Sequence, residues 1–327
     1  MSEKLIFHFE GALADTHRMN FYESARFQYA AARLMVKLVQ FRQSGRFVKN
    51  ITNNSNFDVQ LVSQSDGSFN INIESPEQST GDDPFMRASL ADLVAYVSER
   101  VVEKIDENSL QDTTTGSADR PPGGDAPGDA PVAALDRLIA TIRSGEASAS
   151  DLPPQIGELI KRRVAETDRE QRLALNQAEI SRIDIARSQK LIAMSAPLIS
   201  EMATALRRSA NTLEITTATT GGSNSVLFLD RRMAQEIETA IVDDEITPIL
   251  ADITQFNKDN GWGKFKIENG AKVINFSIPY DILPSIRRKL IDSMNVDMVY
   301  LQVYYVRDRS AEIVRALIVG ILPTPER

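Results

Sequence analysis

Leu5, Phe7 and Phe9 alternate with Ile6, His8 and Glu10, a period of two that predicts a strand with one buried face. Gly11 ends it. From Met19 to Ser44 the period lengthens. Phe21, Ala25, Tyr29, Ala32, Val36 and Val39 fall three and four apart, predicting the apolar face of a long helix that Gly45 stops. Phe57 to Val62 and Ser68 to Ile73 flank Ser65-Asp66-Gly67, a hairpin signal. A second helix is predicted from Pro84 to Ile105, on a face of Phe85, Leu90, Leu93, Val94, Val97 and Val101. The order β-α-β-β-α over residues 1–108 predicts a small α/β sandwich within an α+β chain.

The pattern then stops. Residues 109–131, rich in Gly, Pro, Asp, Thr and Ser, read as a disordered linker with almost nothing to bury. A helical middle is expected over 132–225. Leu135, Leu138, Ile139 and Ile142 mark a short helix, and a long helix is expected from Gln155 to Leu213, with Pro197 as an interruption. Between Lys161 and Lys190 there are eight Lys/Arg and five Asp/Glu. With few apolar residues among them, this stretch reads as a solvated face of i, i+4 pairs. Leu191, Met194, Leu198, Met202 and Leu206 form a stronger apolar face, a candidate for self-association. Thr216 to Ser225 reads as a loop.

Residues 226–327 begin with a predicted helix, Arg231 to Asp244, and turn to strands. Ile246–Phe256, Lys264–Ile267, Lys272–Ile278, Asp297–Val306 and Ile313–Leu322 are expected strands, with a helix from Pro284 to Met294 before the fourth. Five short strands and one helix predict a small β-barrel, SH3-like or OB-like.

Composition narrows the chemistry. The 327 residues contain no cysteine, which excludes disulfides, thiolate nucleophiles and cysteine-ligated metals. His8 and His17 are the only histidines. The net charge of −8 argues against a wholly basic nucleic-acid binder and leaves room for a local patch. No apolar run reaches the length of a membrane span and no signal-peptide pattern opens the chain, so a cytoplasmic protein is expected. Walker, dinucleotide-binding, nucleophile-elbow, zincin and kinase signatures are missing, and no cofactor is implied.

Three groups remain as candidates. Glu10, Asp15 and His17 cluster where the first strand turns into the first helix, a set able to bind a divalent ion or exchange a proton. The structural alternative is that Asp15 or Thr16 caps the helix. Trp262, Lys264, Lys266, Tyr305, Arg307 and Arg309 interleave aromatic and basic residues on the barrel, the combination that stacks and neutralises single-stranded nucleic acid. Against this, one face of each strand must be core. Asp243-Asp244-Glu245 reads as a solvated helix end, because successive helical residues point about 100° apart.

The opening Phe9-Glu10-Gly11-x-x-Ala14-Asp15-x-His17, followed by Tyr22, Ala25 and Ala31, resembles a bacterial two-domain family. So does the close, Gly261-x-Gly263-Lys264-Phe265 with Ile274-Asn275-Phe276 and Tyr305-Val-Arg-Asp-Arg309. In that family an α+β domain and a small β-barrel domain flank a variable helical centre, and no catalytic residues are known. The resemblance implies a bacterial accessory protein of an anti-phage defence locus. The expected function is therefore a non-enzymatic, homo-oligomeric scaffold or sensor that recognises a phage component and engages a separately encoded effector. Nucleic-acid binding by the barrel is the alternative, and a metal-dependent hydrolase at Glu10, Asp15 and His17 the second.

Overall fold

The computed structural model describes residues 3–53, 56, 59–62, 70–75, 84–105, 131–143, 154–219, 222–243, 245–267, 272–295 and 298–323. The expected linker lies outside them except for Pro131, which opens a helix. The chain is α+β and ends in a small closed barrel, as the pattern predicts.

Five antiparallel strands form the first sheet. They are β1 (Glu3–Glu10), β2 (Gln60–Val62), β3 (Asn70–Ser75), β4 (Thr212–Thr219) and β5 (Gly222–Asp230), in the order β2-β3-β1-β4-β5. Phe7 lies between Ile71 and Ile215, and Leu5 lies opposite Ile73. All of these are buried on one face, as the alternation in β1 requires. The hairpin β4–β5 occupies the segment expected as a loop at 216–225. In β4, Leu213 and Ile215 alternate with Thr212, Glu214 and Thr216, and Thr219 pairs with Gly222 across the turn. The first strand is thus completed by strands from the expected helical middle, so the sheet crosses the boundaries drawn at 108 and 225.

Among the described residues, six α-helices accompany this sheet: α1 (Phe21–Ser44), α2 (Leu90–Val101), α3 (Pro131–Arg143), α4 (Pro154–Leu175), α5 (Gln177–Ile180) and α6 (Ile185–Ala203). Asn20 caps α1 by accepting from the Glu23 N–H, and Gly45 ends it at φ 65°. The buried face of α1 keeps the expected Val36 and Val39 but is otherwise turned from the expected one. Phe27, Ala30, Ala31, Leu34, Leu38 and Phe41 face the core, and Phe27 meets Phe7 and Phe9 edge-on. Phe21 and Tyr29 are exposed. The single helix expected from Gln155 to Leu213 is three. Asn176 leaves helical geometry, and Asp184 restarts the chain by capping α6 through the Arg187 N–H. Pro197 lies inside α6 without ending it.

The remaining chain contains α7 (Arg231–Thr239), β6 (Ile241–Val242), β7 (Thr247–Phe256), β8 (Trp262–Ile267), β9 (Val273–Ser277), α8 (Leu283–Ser293), β10 (Val299–Arg307) and β11 (Ile313–Ile321). The helix expected to run to Asp244 stops at Thr239, and Ile241 and Val242 pair with Arg307 and Val306. Strands β7-β8-β9-β11-β10 close on β7, with β9 and β11 parallel. This closure, with α8 between the third and fourth strands, is OB-like rather than SH3-like. Phe265, Phe276, Leu301, Val303 and Ile318 fill the interior. Outside it, Tyr304 and Leu317 pack on Ile192 of α6, so the barrel rests on the helical layer. Among the described residues no helix is long and apolar enough to cross a membrane.

Candidate functional site, a buried charged seam

Every residue of α2 is buried, including its charged ones. Ser89 and Asp92 form a reciprocal capping box at its start. Its other end carries Ser98-Glu99-Arg100 and, just beyond, Lys104 into the barrel. Glu99 accepts from Lys104 at 2.9 Å, faces Arg169 at 3.4 Å and accepts the Tyr280 N–H at 3.3 Å. Lys104 also donates to the Asn260 carbonyl at 2.6 Å. Arg100 pairs with Asp281 at 2.7 Å and lies 3.5 Å over the Tyr96 ring. Arg315 donates from Nη2 to the Val101 carbonyl at 2.8 Å. The β7–β8 loop, the turn before α8, and β11 are therefore all bonded to one helix end.

The other wall is α4. Glu166 accepts the Ile105 N–H at 2.8 Å, and Arg162 donates to the Glu103 carbonyl at 2.8 Å. Arg163 pairs with Asp136 of α3 at 2.8 Å and with Glu166 at 3.4 Å, and stands 4.0 Å from Glu170. The first half of the stretch expected to be a solvated face is interior, with Arg162, Arg163, Glu166, Arg169 and Glu170 all buried, whereas Arg182–Glu179 and Arg187–Asp184 form the expected exposed local pairs in its second half. Pairing within the helix is present in Arg162–Glu166 and Arg163–Glu166, and Asp136, Glu99 and Asp92 of two other helices supply further partners. Buried charges need such partners, since an unpaired one costs several kcal/mol.

The seam holds its carboxyls in two states. Burial pushes Glu99 up, yet Lys104 and Arg169 outweigh it and hold the carboxyl below its usual range. Burial pushes Glu170 up to about 7; Lys104 and Arg163 oppose this, while Glu99 and Glu166 reinforce it. One acid is ionised and clamps, and its neighbour exchanges a proton near neutrality. At the edge of the seam is a crevice of about 160 Å³ lined by Val101, Glu103, Glu236, Asp308 and Arg315. Burial lowers the Arg315 pKa, and its Nη1 has no hydrogen-bond partner.

The candidates read from the sequence lie elsewhere. Glu10 pairs with Lys161 of α4. Asp15 accepts the Gly11 N–H at 2.7 Å and so closes the turn after β1; Asn20, not Asp15 or Thr16, caps α1. His17, at φ 56°, ends the short 3-10 turn by donating its N–H to the Ala14 carbonyl. Among the described residues no three His, Asp or Glu side chains are grouped to hold a metal ion.

The six barrel residues do not form one surface. Trp262, Lys264 and Lys266 lie on β8, whereas Tyr305, Arg307 and Arg309 lie on β10 and the loop after it, and the two strands are not neighbours. Trp262 and Tyr305 are buried and present no open ring. Lys264 sits 5.4 Å over the Trp262 ring. Arg307 is held by both Asp243 oxygens at 3.0 Å, and Arg309 reaches the Glu238 carbonyl at 3.5 Å. The self-association face is also taken up inside the chain. Leu191, Leu198, Met202 and Leu206 belong to the main core and Met194 packs against it, because α6 lies between α1, α2 and the barrel.

Glu99, Arg100 and Lys104 are the residues that the sequence reading missed. Their signal is a cluster of four charges, Glu99, Arg100, Glu103 and Lys104, at the end of a run from Leu90 to Val97 that is apolar except for Asp92. Comparison of the chain with family models, with curated proteins and with solved structures finds no match.

Proposed function

We propose that the protein is a non-enzymatic scaffold or sensor whose two lobes act as one body. The observation that supports this is the seam, in which one helix of the sheet lobe is bonded to three separate barrel segments through buried charges. Such a connection transmits strain between lobes, because the barrel cannot shift without uncovering Glu99, Arg100 and Lys104. The resemblance read from the two ends of the sequence supports a role in anti-phage defence, with a phage component as trigger and a separately encoded effector as output. Assembly of copies uses the first turn of α1, where Phe21 and Tyr22 are 89% and 67% exposed, rather than α6.

Light scattering after size exclusion, with parallel assays of nucleotide and ester hydrolysis, tests both halves. A defined oligomer that loses mass in the Phe21→Ser/Tyr22→Ser double variant is expected. A wild-type mass of one chain overturns the assembly proposal, and turnover by the purified protein overturns the non-enzymatic one.

A further inference from the structure

From Ser24 to Phe57 the chain contains six basic residues, Arg26, Arg33, Lys37, Arg42, Arg46 and Lys49, and no acidic one. That is unusual in a chain of net charge −8. Two of the six are neutralised by distant carboxylates: Arg26 by Glu201 at 2.5 and 2.6 Å, and Arg42 by Glu3 at 2.8 Å. For Arg33, Lys37, Arg46 and Lys49 there is no carboxylate partner among the described residues.

Arg33 and Lys37 stand one helical turn apart, an arrangement of like charges that destabilises a helix. Lys37 is buried as well. Its ammonium donates to the carbonyls of Val48 and Lys49 at 2.9 and 3.2 Å, fastening the segment after α1 against the helix. Burial, and then the Arg33 charge, pull its pKa down. Beside this pair lies a cavity of about 410 Å³, lined by Tyr29, Ala32, Arg33, Val36, Asn50, Ile51 and Asn56. Its volume is that of a small-molecule site. Its polar groups among the described residues are a guanidinium, two carboxamides and the Tyr29 hydroxyl, all able to donate to phosphate oxygens, and none is a carboxylate. Tyr29 is 65% exposed, with Arg33 placed 5.4 Å from its ring centroid.

We propose that this cavity binds a nucleotide, with Arg33 and the Asn50 and Asn56 amides holding the phosphate and the Tyr29 ring stacking on the base. The site is separate from the seam and does not depend on the scaffold reading. The phosphate has two sources, a free mononucleotide or a single-stranded nucleic acid, and the assay includes both.

Calorimetric titrations of the full chain with AMP, ATP, inorganic phosphate and a thymidine dodecamer test the proposal, each at two salt concentrations. AMP or ATP binding that weakens with salt, falls about tenfold or more in Arg33→Gln and falls about fivefold or more in Tyr29→Ala is expected. Tyr29→Ala leaves inorganic phosphate binding unchanged, which separates stacking from charge. Dodecamer binding with the same dependence on Arg33 and Tyr29, in the absence of AMP binding, assigns the phosphate to nucleic acid. Both substituted side chains are outside the core, and an Asn56→Ala variant repeats the test at an exposed residue. Absence of heat with every probe, or binding that is indifferent to Arg33→Gln and Asn56→Ala, overturns the proposal.

Discussion

Replacement of Lys104 by methionine removes the charge at the centre of the seam and keeps most of its apolar volume. The side chains of Lys104 and Glu99 are 2% and 1% exposed, so solvent screening gives little relief. Without the ammonium, Glu99 keeps only Arg169 at 3.4 Å and the Tyr280 N–H at 3.3 Å. The Asn260 carbonyl also loses a donor at 2.6 Å. Removing one partner of a buried pair costs about 3–5 kcal/mol, and an unsatisfied buried acceptor adds about 1–3 kcal/mol. Relaxation and residual pairing with Arg169 reduce the sum, so a loss of about 3–5 kcal/mol is expected. Urea unfolding followed by circular dichroism measures it. Glu99→Leu/Lys104→Met leaves no isolated carboxylate in the interior but strips the buried Arg169 of its carboxylate, so it should recover less than half of the loss. If Lys104→Met costs under about 1 kcal/mol, or if the two substitutions add without coupling, then Glu99 and Lys104 are not the clamp argued here.

Glu170 sets a pH dependence of known sign. Its folded pKa of about 7 is above the ordinary value of 4.5, so its contribution is complete below pH 4.5 and is lost as the pH rises through 7. The shift corresponds to at most about 3 kcal/mol. Glu170→Gln should flatten the fall in urea midpoint between those limits; an unchanged slope refutes the assignment. Trp262 is the only tryptophan and is buried, so its emission should be blue-shifted and insensitive to iodide until the barrel unfolds. A Cβ at Gly263 would meet the Phe276 ring at 2.3 Å and the Gln255 carbonyl at 2.4 Å. Gly263→Ala should therefore lower barrel stability by about 1–3 kcal/mol in the same urea assay, with the Trp262 signal as its reporter.

The barrel was legible because its signals are local. The strand runs and the helix at Pro284 each carry their own period, and the closing strands differ from expectation by only a residue or two at their ends. Only the choice between OB-like and SH3-like closure waited for the parallel β9–β11 pairing, a contact that alternation does not encode. The sheet lobe was legible only in its first part. Thr212 to Thr219 has a strand pattern, but its reason for being a strand is β1, which lies at the opposite end of the lobe's sequence.

The seam was hidden for a different reason. A run such as Lys161 to Arg172 has the same pattern whether its charges meet water or meet Glu99 and Asp92, because period and composition report the helix and not what covers it. Read alone, α4 is a solvated helix and α2 an apolar one with a few misplaced charges. Read together they explain each other. The excess of cations on α4 and the two acids Asp92 and Glu99 on α2 are complementary, with Arg172 on Asp92 at 3.0 Å and Arg169 on Glu99 at 3.4 Å. Neither helix can bury its charges without the other, and α2 cannot bury Arg100 or Lys104 without the barrel's Asp281 and Asn260. The consequence is that the folding of the two lobes is coupled by electrostatics as well as by the apolar contact of Ile192 with Tyr304 and Leu317. Charge substitutions in the seam should therefore loosen the barrel before they unfold it.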